Sequence, residues 1–130
     1  MAYKSQELLP KTVQEAIQGM ALRLNPEMAG DLQATIQFNI TPSNSLETGG
    51  DYFLNIADGK CDFSTGTAPT PTLIISTPAD VWLKIARQEL NGAFALLTGK
   101  YKARGQMSLL LKMDSLFSRK PTEAELAAMG

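Results

Sequence analysis

Between Leu32 and Ile40 the chain alternates: Leu32, Ala34, Ile36, Phe38 and Ile40 share one parity, and Gln33, Thr35, Gln37 and Asn39 share the other. Successive side chains of a strand point to opposite faces, so this spacing predicts a strand with one face in a core and one in water. Tyr52, Leu54 and Ile56 repeat the pattern, and Asp58-Gly59 supplies a two-residue hairpin turn whose central positions need positive φ. A third strand runs from Lys60 to Ser64 with Cys61 and Phe63 on one side, and Leu73 to Ile75 reads as a short, wholly apolar fourth. Lys100 to Arg104 alternates basic and apolar residues between two glycines and makes a fifth.

Helical periods fill the intervals. Thr12 and Glu15 have capping-box spacing, and Val13, Ala16, Ile17, Met20 and Leu24 recur at helical intervals, which predicts a helix over 12–24 that stops at Asn25-Pro26. Thr77, Pro78 and Asp80 provide a cap, a first-turn proline and an early acid for a helix over 78–88, with Val81, Trp82, Ile85 and Ala86 on its inner stripe. Asn91 caps a short helix carrying Ala93, Phe94 and Leu97, closed by Gly99. A long helix over 106–118 is then stopped before Pro121. Its polar residues Ser108, Lys112, Ser115 and Arg119 form one narrow stripe, and nearly everything else on it is apolar. One sheet face covers one flank of such a helix. The other flank needs a neighbouring helix, a partner chain, or an apolar ligand.

The order helix, three-strand meander, strand, two helices, strand, helix predicts an α+β domain: a single, mostly antiparallel five-stranded sheet with helices packed on its apolar face. The domain is expected over 12–118, after a loose lead over 1–11 and before a tail over 119–130 in which Thr122 and Glu125 could cap a short helix.

Composition narrows the chemistry. A chain of 130 residues favours one domain, and a net charge of −1 gives no bulk case for nucleic acid. With no histidine and a single cysteine, Cys61, there is no Ser-His-Asp or Cys-His nucleophilic site, no imidazole metal site, and no intramolecular disulfide. Phosphate-cradling glycine loops and calcium loops are absent too. The expectation is a non-enzymatic protein that uses no cofactor, and, with no secretory or membrane-spanning segment, a cytoplasmic one. Charge is unevenly spread: residues 82–120 carry a net +6 against −7 for the remainder.

The stretch STPADVWLKIARQELNGAFALLTGKYKARGQMSLLLKM closely resembles the sterol carrier protein type 2 family. The resemblance rests on Asp80 opening a helix after Ser/Thr with Trp82 close behind, a second small helix ending in Gly99-Lys100, a short strand closed by Gly105, and the apolar helix QMSLLLKM. The hairpin IADGKCDF and the stretch RLNPEMAGDLQATIQFNI extend it to about residues 12–118. Gln88-Glu89 stands where such domains often have a glycine, Gln106 where an acid is common, and Tyr101 where an aliphatic is usual.

The resemblance implies helices and sheet enclosing a hydrophobic tunnel in a stand-alone, single-domain member, and a non-catalytic role: binding or transferring a fatty acid, acyl-CoA, sterol or phospholipid. The expected cavity wall is Phe38, Ile40, Leu54, Ile56, Ile75, Trp82, Ile85, Phe94, Leu97, Met107, Leu110, Leu111 and Phe117. Other expected partners are a membrane surface, met transiently through the basic residues of 100–120, and at most a weak dimer. The rival expectation is an accessory or interaction module, a homodimer or a subunit of a lipid-handling enzyme complex, that uses the apolar flank of helix 106–118.

Overall fold

The structure, a computed structural model, describes residues 10–43 and 49–119. Nearly all of the expected lead and tail therefore lies outside the described residues. The elements are α1 (Val13–Leu22), α2 (Pro26–Ala29), β1 (Ala34–Thr41), β2 (Gly50–Ala57), β3 (Lys60–Thr65), β4 (Leu73–Pro78), α3 (Ala79–Ala86), α4 (Gly92–Leu97), β5 (Lys102–Gly105), α5 (Met107–Leu111) and α6 (Met113–Leu116). The five strands form one open sheet in the order β3-β2-β1-β4-β5. The β1–β2, β2–β3 and β4–β5 ladders are antiparallel and the central β1–β4 ladder is parallel. This is the expected α+β architecture, with one parallel pair at its centre.

Parity along β1 decides which face carries the core. Ala34, Ile36, Phe38 and Ile40 are buried, and the register pairs Ile36 with Leu54 on one side and Leu73 on the other, and Phe38 with Tyr52 and Ile75. α1 packs over β2 and β3, α3 lies against α1 and β4, and α5 crosses β4 and β5. At about 25 cal/mol per Å² of apolar surface removed from water, this layer is the main stabilising term of the domain.

A parallel β1–β4 pair needs a crossover from the β3 edge, and residues 66–72 supply it on the sheet face away from the helices. Gln37 holds that segment down. The alternation places it on the polar face, yet it is 1% exposed. Its Oε1 accepts from Ala68 N–H at 2.7 Å, and its Nε2 donates to the carbonyls of Tyr52 and Gly66, each at 3.2 Å. The Thr72 amide donates to the Thr35 carbonyl at 2.8 Å, which ties down the far end.

Local signals behave as their physics requires, with three differences from expectation. The Thr12 hydroxyl accepts from Glu15 N–H at 3.1 Å, while the Glu15 carboxylate takes the Lys11 amide at 3.2 Å. Asn25 ends α1 but also caps α2, a turn the sequence reading missed: its Oδ1 accepts from Glu27 N–H at 3.0 Å, with Pro26 in the first helical position. Thr77 is not a cap. β4 runs on to Pro78, and the buried Thr77 hydroxyl donates to the Pro78 carbonyl at 3.0 Å. The helix expected over 106–118 is two: the chain tightens at Lys112, whose amide donates to the Leu109 carbonyl at 3.1 Å, three residues back. Leu109, Met113 and Leu116 are the positions this bent pair buries.

Replacing Gln37 by leucine adds apolar surface to a buried site but strands the Ala68 amide and the carbonyls it serves. An unpaired buried amide costs about 1–3 kcal/mol, so Gln37→Leu should lower unfolding free energy by about 2–3 kcal/mol in a urea titration. Unchanged stability would show that residues 66–72 do not depend on this side chain.

Candidate functional site

The helices do not close fully against one another. Between the last turn of α1, the α3–α4 corner and the α5–α6 pair lies a cleft of about 780 Å³. Trp82 forms much of its floor. Its ring meets Phe38 of the core edge to face at 5.2 Å and Tyr101 edge to face at 5.7 Å, so the floor is braced by aromatic pairs, each worth about 0.5–1.5 kcal/mol beyond burial. Met20 and Arg23 enter from α1, one turn apart; Leu90, Ala93 and Leu96 come from the α3–α4 side; Leu110, Met113 and Phe117 come from the last two helices.

Of the thirteen expected wall positions, the structure brings Trp82, Ile85, Leu110, Leu111 and Phe117 to the cleft. Phe38, Ile40, Leu54, Ile56 and Ile75 lie in the sealed layer between sheet and helices, each at most 5% exposed. They are held there by the same parity that made them stand out in the sequence. Phe94 and Leu97 are 55% and 85% exposed, and Met107 is 41% exposed, outside the lining. Leu111 both lines the cleft and is 81% exposed, which puts it at the mouth. Among the described residues the space is thus a cleft open to solvent, where the resemblance implied an enclosing tunnel. Sequence reasoning missed Arg23, Leu90 and Leu96 as lining residues. The signal available was weak: Arg23 follows Met20 by three positions on a helix whose inner stripe was otherwise apolar.

α3 and α4 end in turns of one type, the first of which makes the corner between them. After α4, Gly99 adopts φ 75°, its amide donates to the Leu96 carbonyl at 3.1 Å, and Lys100 N–H reaches Ala95 at 2.8 Å. After α3, Gln88 holds the same left-handed conformation at φ 63°, its amide donates to Ile85 at 3.1 Å, and Glu89 N–H reaches Lys84 at 2.8 Å. A side chain in that region is strained where glycine is not.

β5 pairs Ala103 with the core residue Ile75, so Lys102 and Arg104, of opposite parity, lie on the sheet face away from the helices. Lys112 follows α5 directly and Lys100 stands three residues beyond the end of α4, both exposed. Arg87 donates to Glu89 Oε2 at 2.9 Å and to the Pro10 carbonyl at 2.8 Å. Burial and then the nearby Asp114 carboxylate push the Tyr101 phenol up. Burial, then the charge of Asp62, pushes the Cys61 thiol from 9.0 to about 12.

No helix among the described residues is long and apolar enough to cross a membrane, and no group of three or more His, Cys, Asp or Glu side chains there could hold a metal ion. The SCP-2 sterol transfer family model matches residues 15–118. Hydroxysteroid dehydrogenase-like protein 2 of Xenopus tropicalis is 26% identical over 117 residues, which is 89% of this chain and 27% of that protein. The chain thus spans about a quarter of the length of the curated relatives it matches. Palmitated SCP2L2 from Aedes aegypti superposes with a TM-score of 0.65 at 18% identity, covering 86% of this chain and 99% of that one. The stereoselective inverting sec-alkylsulfatase Pisa1 from Pseudomonas sp. superposes with a TM-score of 0.64 at 20% identity, covering 78% of this chain and 15% of that one.

Two outcomes are expected. Gln88→Gly should raise unfolding free energy by about 1 kcal/mol, because it relieves a left-handed residue inside an intact Schellman turn; no gain would mean that Gln88 makes a compensating contact. The Cys61 thiol is kept protonated by the fold, so its contribution is complete below pH 9 and is lost as pH rises from 9.0 towards about 12, with Tyr101 shifted in the same direction. A disulfide reagent at pH 8 should label the native thiol on the order of a hundredfold more slowly than the unfolded one.

Proposed function

The chain belongs to the SCP-2 sterol transfer family, and from that premise and the open cleft we propose that it is a non-catalytic lipid-binding and lipid-transfer module that seats one hydrocarbon chain between α1, α3–α4 and α5–α6. The observation that carries the reading is the cleft itself, lined by more apolar side chains than polar ones, with Arg23, Gln88, Glu89, Asn91 and Asp114 adding polar surface, and of a volume that suits a single lipid. Burial of an acyl chain contributes about 0.8 kcal/mol per methylene, so a dozen methylenes give on the order of 10 kcal/mol before the costs of association. That term is non-directional. It requires no catalytic group, and it accounts for affinity in a chain without histidine.

The mouth supports transfer as well as storage. Leu111 and Met107 lie one turn apart on α5, and Phe94 and Leu97 lie one turn apart on α4, so each of the two helices flanking the cleft carries an exposed apolar pair. Lys100 and Lys112 follow them, with no ion-pair partner among the described residues. An anionic bilayer is the occupant that complements both features, since basic side chains near such a surface are worth about 1 kcal/mol each. The single unpaired thiol, Cys61, fits a reducing intracellular compartment.

Protein isolated from cells should release fatty acid or phospholipid on solvent extraction. Leu110→Trp should fill the cleft and reduce uptake of a fluorescent fatty acid at least tenfold while the melting temperature stays within a few degrees. Lipid-free protein that takes up nothing and sediments as a tight dimer would favour an interaction module built on the exposed apolar residues of α4 and α5.

A further inference from the structure

The floor of the cleft carries two polar groups that no described residue pairs with. Trp82 and Tyr101 both line it, each is only 6% exposed, and their rings meet edge to face at 5.7 Å. Neither the Trp82 indole N–H nor the Tyr101 hydroxyl has a hydrogen-bond partner among the described residues. No sealed side-chain nitrogen or oxygen among those residues lacks a partner, so these two atoms are not sealed. The small part of each side chain that is exposed includes its polar end, and the open space both residues line is the cleft. The other polar side chains of the lining differ. Arg23 is charged and half-buried at the end of α1, while Gln88, Glu89, Asn91 and Asp114 are exposed. Glu89 is held by Arg87, and Asn91 Oδ1 accepts from the Phe94 amide at 2.9 Å. Burial and then the Asp114 charge push the Tyr101 phenol above its ordinary range, so it stays neutral. The floor therefore offers two uncharged groups, the indole a donor and the phenol a donor or an acceptor.

While the cleft is open, solvent reaches these groups. Hydrocarbon laid over them strands both, a penalty avoided when the ligand brings an oxygen to the same place. Resting on the lipid-binding reading, we propose that Trp82 and Tyr101 form a neutral subsite for an uncharged lipid hydroxyl, carried by a long-chain alcohol or by a sterol ring. The indole donates to the hydroxyl oxygen, and the phenol makes a second hydrogen bond with it. The hydrocarbon runs from the floor towards Leu111 at the mouth. A carboxylate is disfavoured on the floor, because the Asp114 charge already bears on the same phenol. Chain burial then sets affinity, and the floor sets preference for a hydroxyl over bare hydrocarbon or an anionic end.

The test measures displacement of an uncharged pyrene-labelled alkane from the full chain by hexadecane, 1-hexadecanol, cholesterol and palmitate. Tyr101→Phe keeps the ring and removes only the oxygen. It should lower affinity for an alcohol relative to hexadecane about fivefold, as expected for one neutral hydrogen bond, with hexadecane bound at least as tightly as by wild type. The alcohol that loses more, 1-hexadecanol or cholesterol, identifies the source of the hydroxyl. Asp114→Asn should tighten palmitate about threefold while 1-hexadecanol stays within twofold, since a single exposed charge acts weakly. If Tyr101→Phe leaves both alcohols unchanged relative to hexadecane, or weakens every ligand together, the subsite is overturned and the lipid-binding reading stands. Palmitate unmoved by Asp114→Asn would overturn the preference for an uncharged end. If wild type takes up neither the probe nor any of the four ligands, both readings fall.

Discussion

The parallel pairing of β1 with β4 constrains everything else in this domain. Antiparallel neighbours can be joined by a tight turn, and Asp58-Gly59 does this between β2 and β3 with both residues at positive φ. A parallel neighbour cannot be reached that way. The chain has to leave the β3 edge, cross one face of the sheet and re-enter beyond β1. Because residues 66–72 cross on the face where Gln37 waits, the opposite face is left free for the helices, and β5 becomes the far edge. The sheet is therefore covered asymmetrically: a thin hydrogen-bonded strap on one side, and on the other an apolar layer that α1, α3 and α5 divide among them.

That division explains why a cleft exists at all. α1 and α3 pack against each other and seal Ile36, Phe38, Leu54 and Ile75 completely. Beyond Trp82 the remaining helices are short, and each ends in a tight turn, at Gln88, at Gly99 and at Lys112. Short elements joined at angles cannot lay a continuous ridge into the groove beside α3. The chain instead buries a narrow stripe, Leu109, Met113 and Leu116, and turns Met107 and Leu111 outward. Interiors are close-packed, so the unfilled volume beside Trp82 follows from backbone geometry rather than from a choice of smaller side chains.

The sequence was most legible where one periodicity spoke for both local structure and burial. Alternation in β1 and β2, the Asp-Gly turn, the Thr12 and Asn91 caps and the Gly99 helix stop each depend on neighbours within a few residues, and each appears where the spacing put it. The cleft was less legible for a physical reason. Periodicity reports that a residue faces inward; it does not distinguish a sealed layer from the wall of a space. Phe38 and Ile75 face inward into close packing, while Ile85 and Leu110 face inward across a gap. Gln37 and Arg23 were illegible for the opposite reason. A polar residue on a polar parity gives no warning that a crossover about 30 residues later will bury it, as the Gly66 carbonyl, which accepts from Gln37 Nε2, and the Ala68 amide, which donates to Gln37 Oε1, do here, and an arginine at a helix end looks solvated until α6 arrives from the far end of the chain.

The wall formed by α5 and α6 is anchored unevenly, and this bears on how an occupant reaches the cleft. α6 is fastened by backbone: Asn25 N–H to the Leu116 carbonyl, Arg119 N–H to the Arg23 carbonyl, and Phe117 N–H back to Met113 at 2.9 Å. α5 buries Leu109 and part of Leu110, is tied at its start by the Gln106 amide to the Thr72 carbonyl at 2.9 Å, and is joined to α6 through a single tightened residue at Lys112. Five residues of helix are well below the length that is stable alone in water, so α5 keeps its form only by the surface it covers. Its outward pair, Met107 and Leu111, contributes nothing to that attachment while exposed. Swinging α5 about Lys112 would break one backbone bond, Gln106 to Thr72, whereas displacing α6 would break two to the residues that end α1. On the lipid-binding reading proposed above, the side of the cleft beside Leu111 is therefore the less firmly held wall, and the side beside Arg23 the more firmly held.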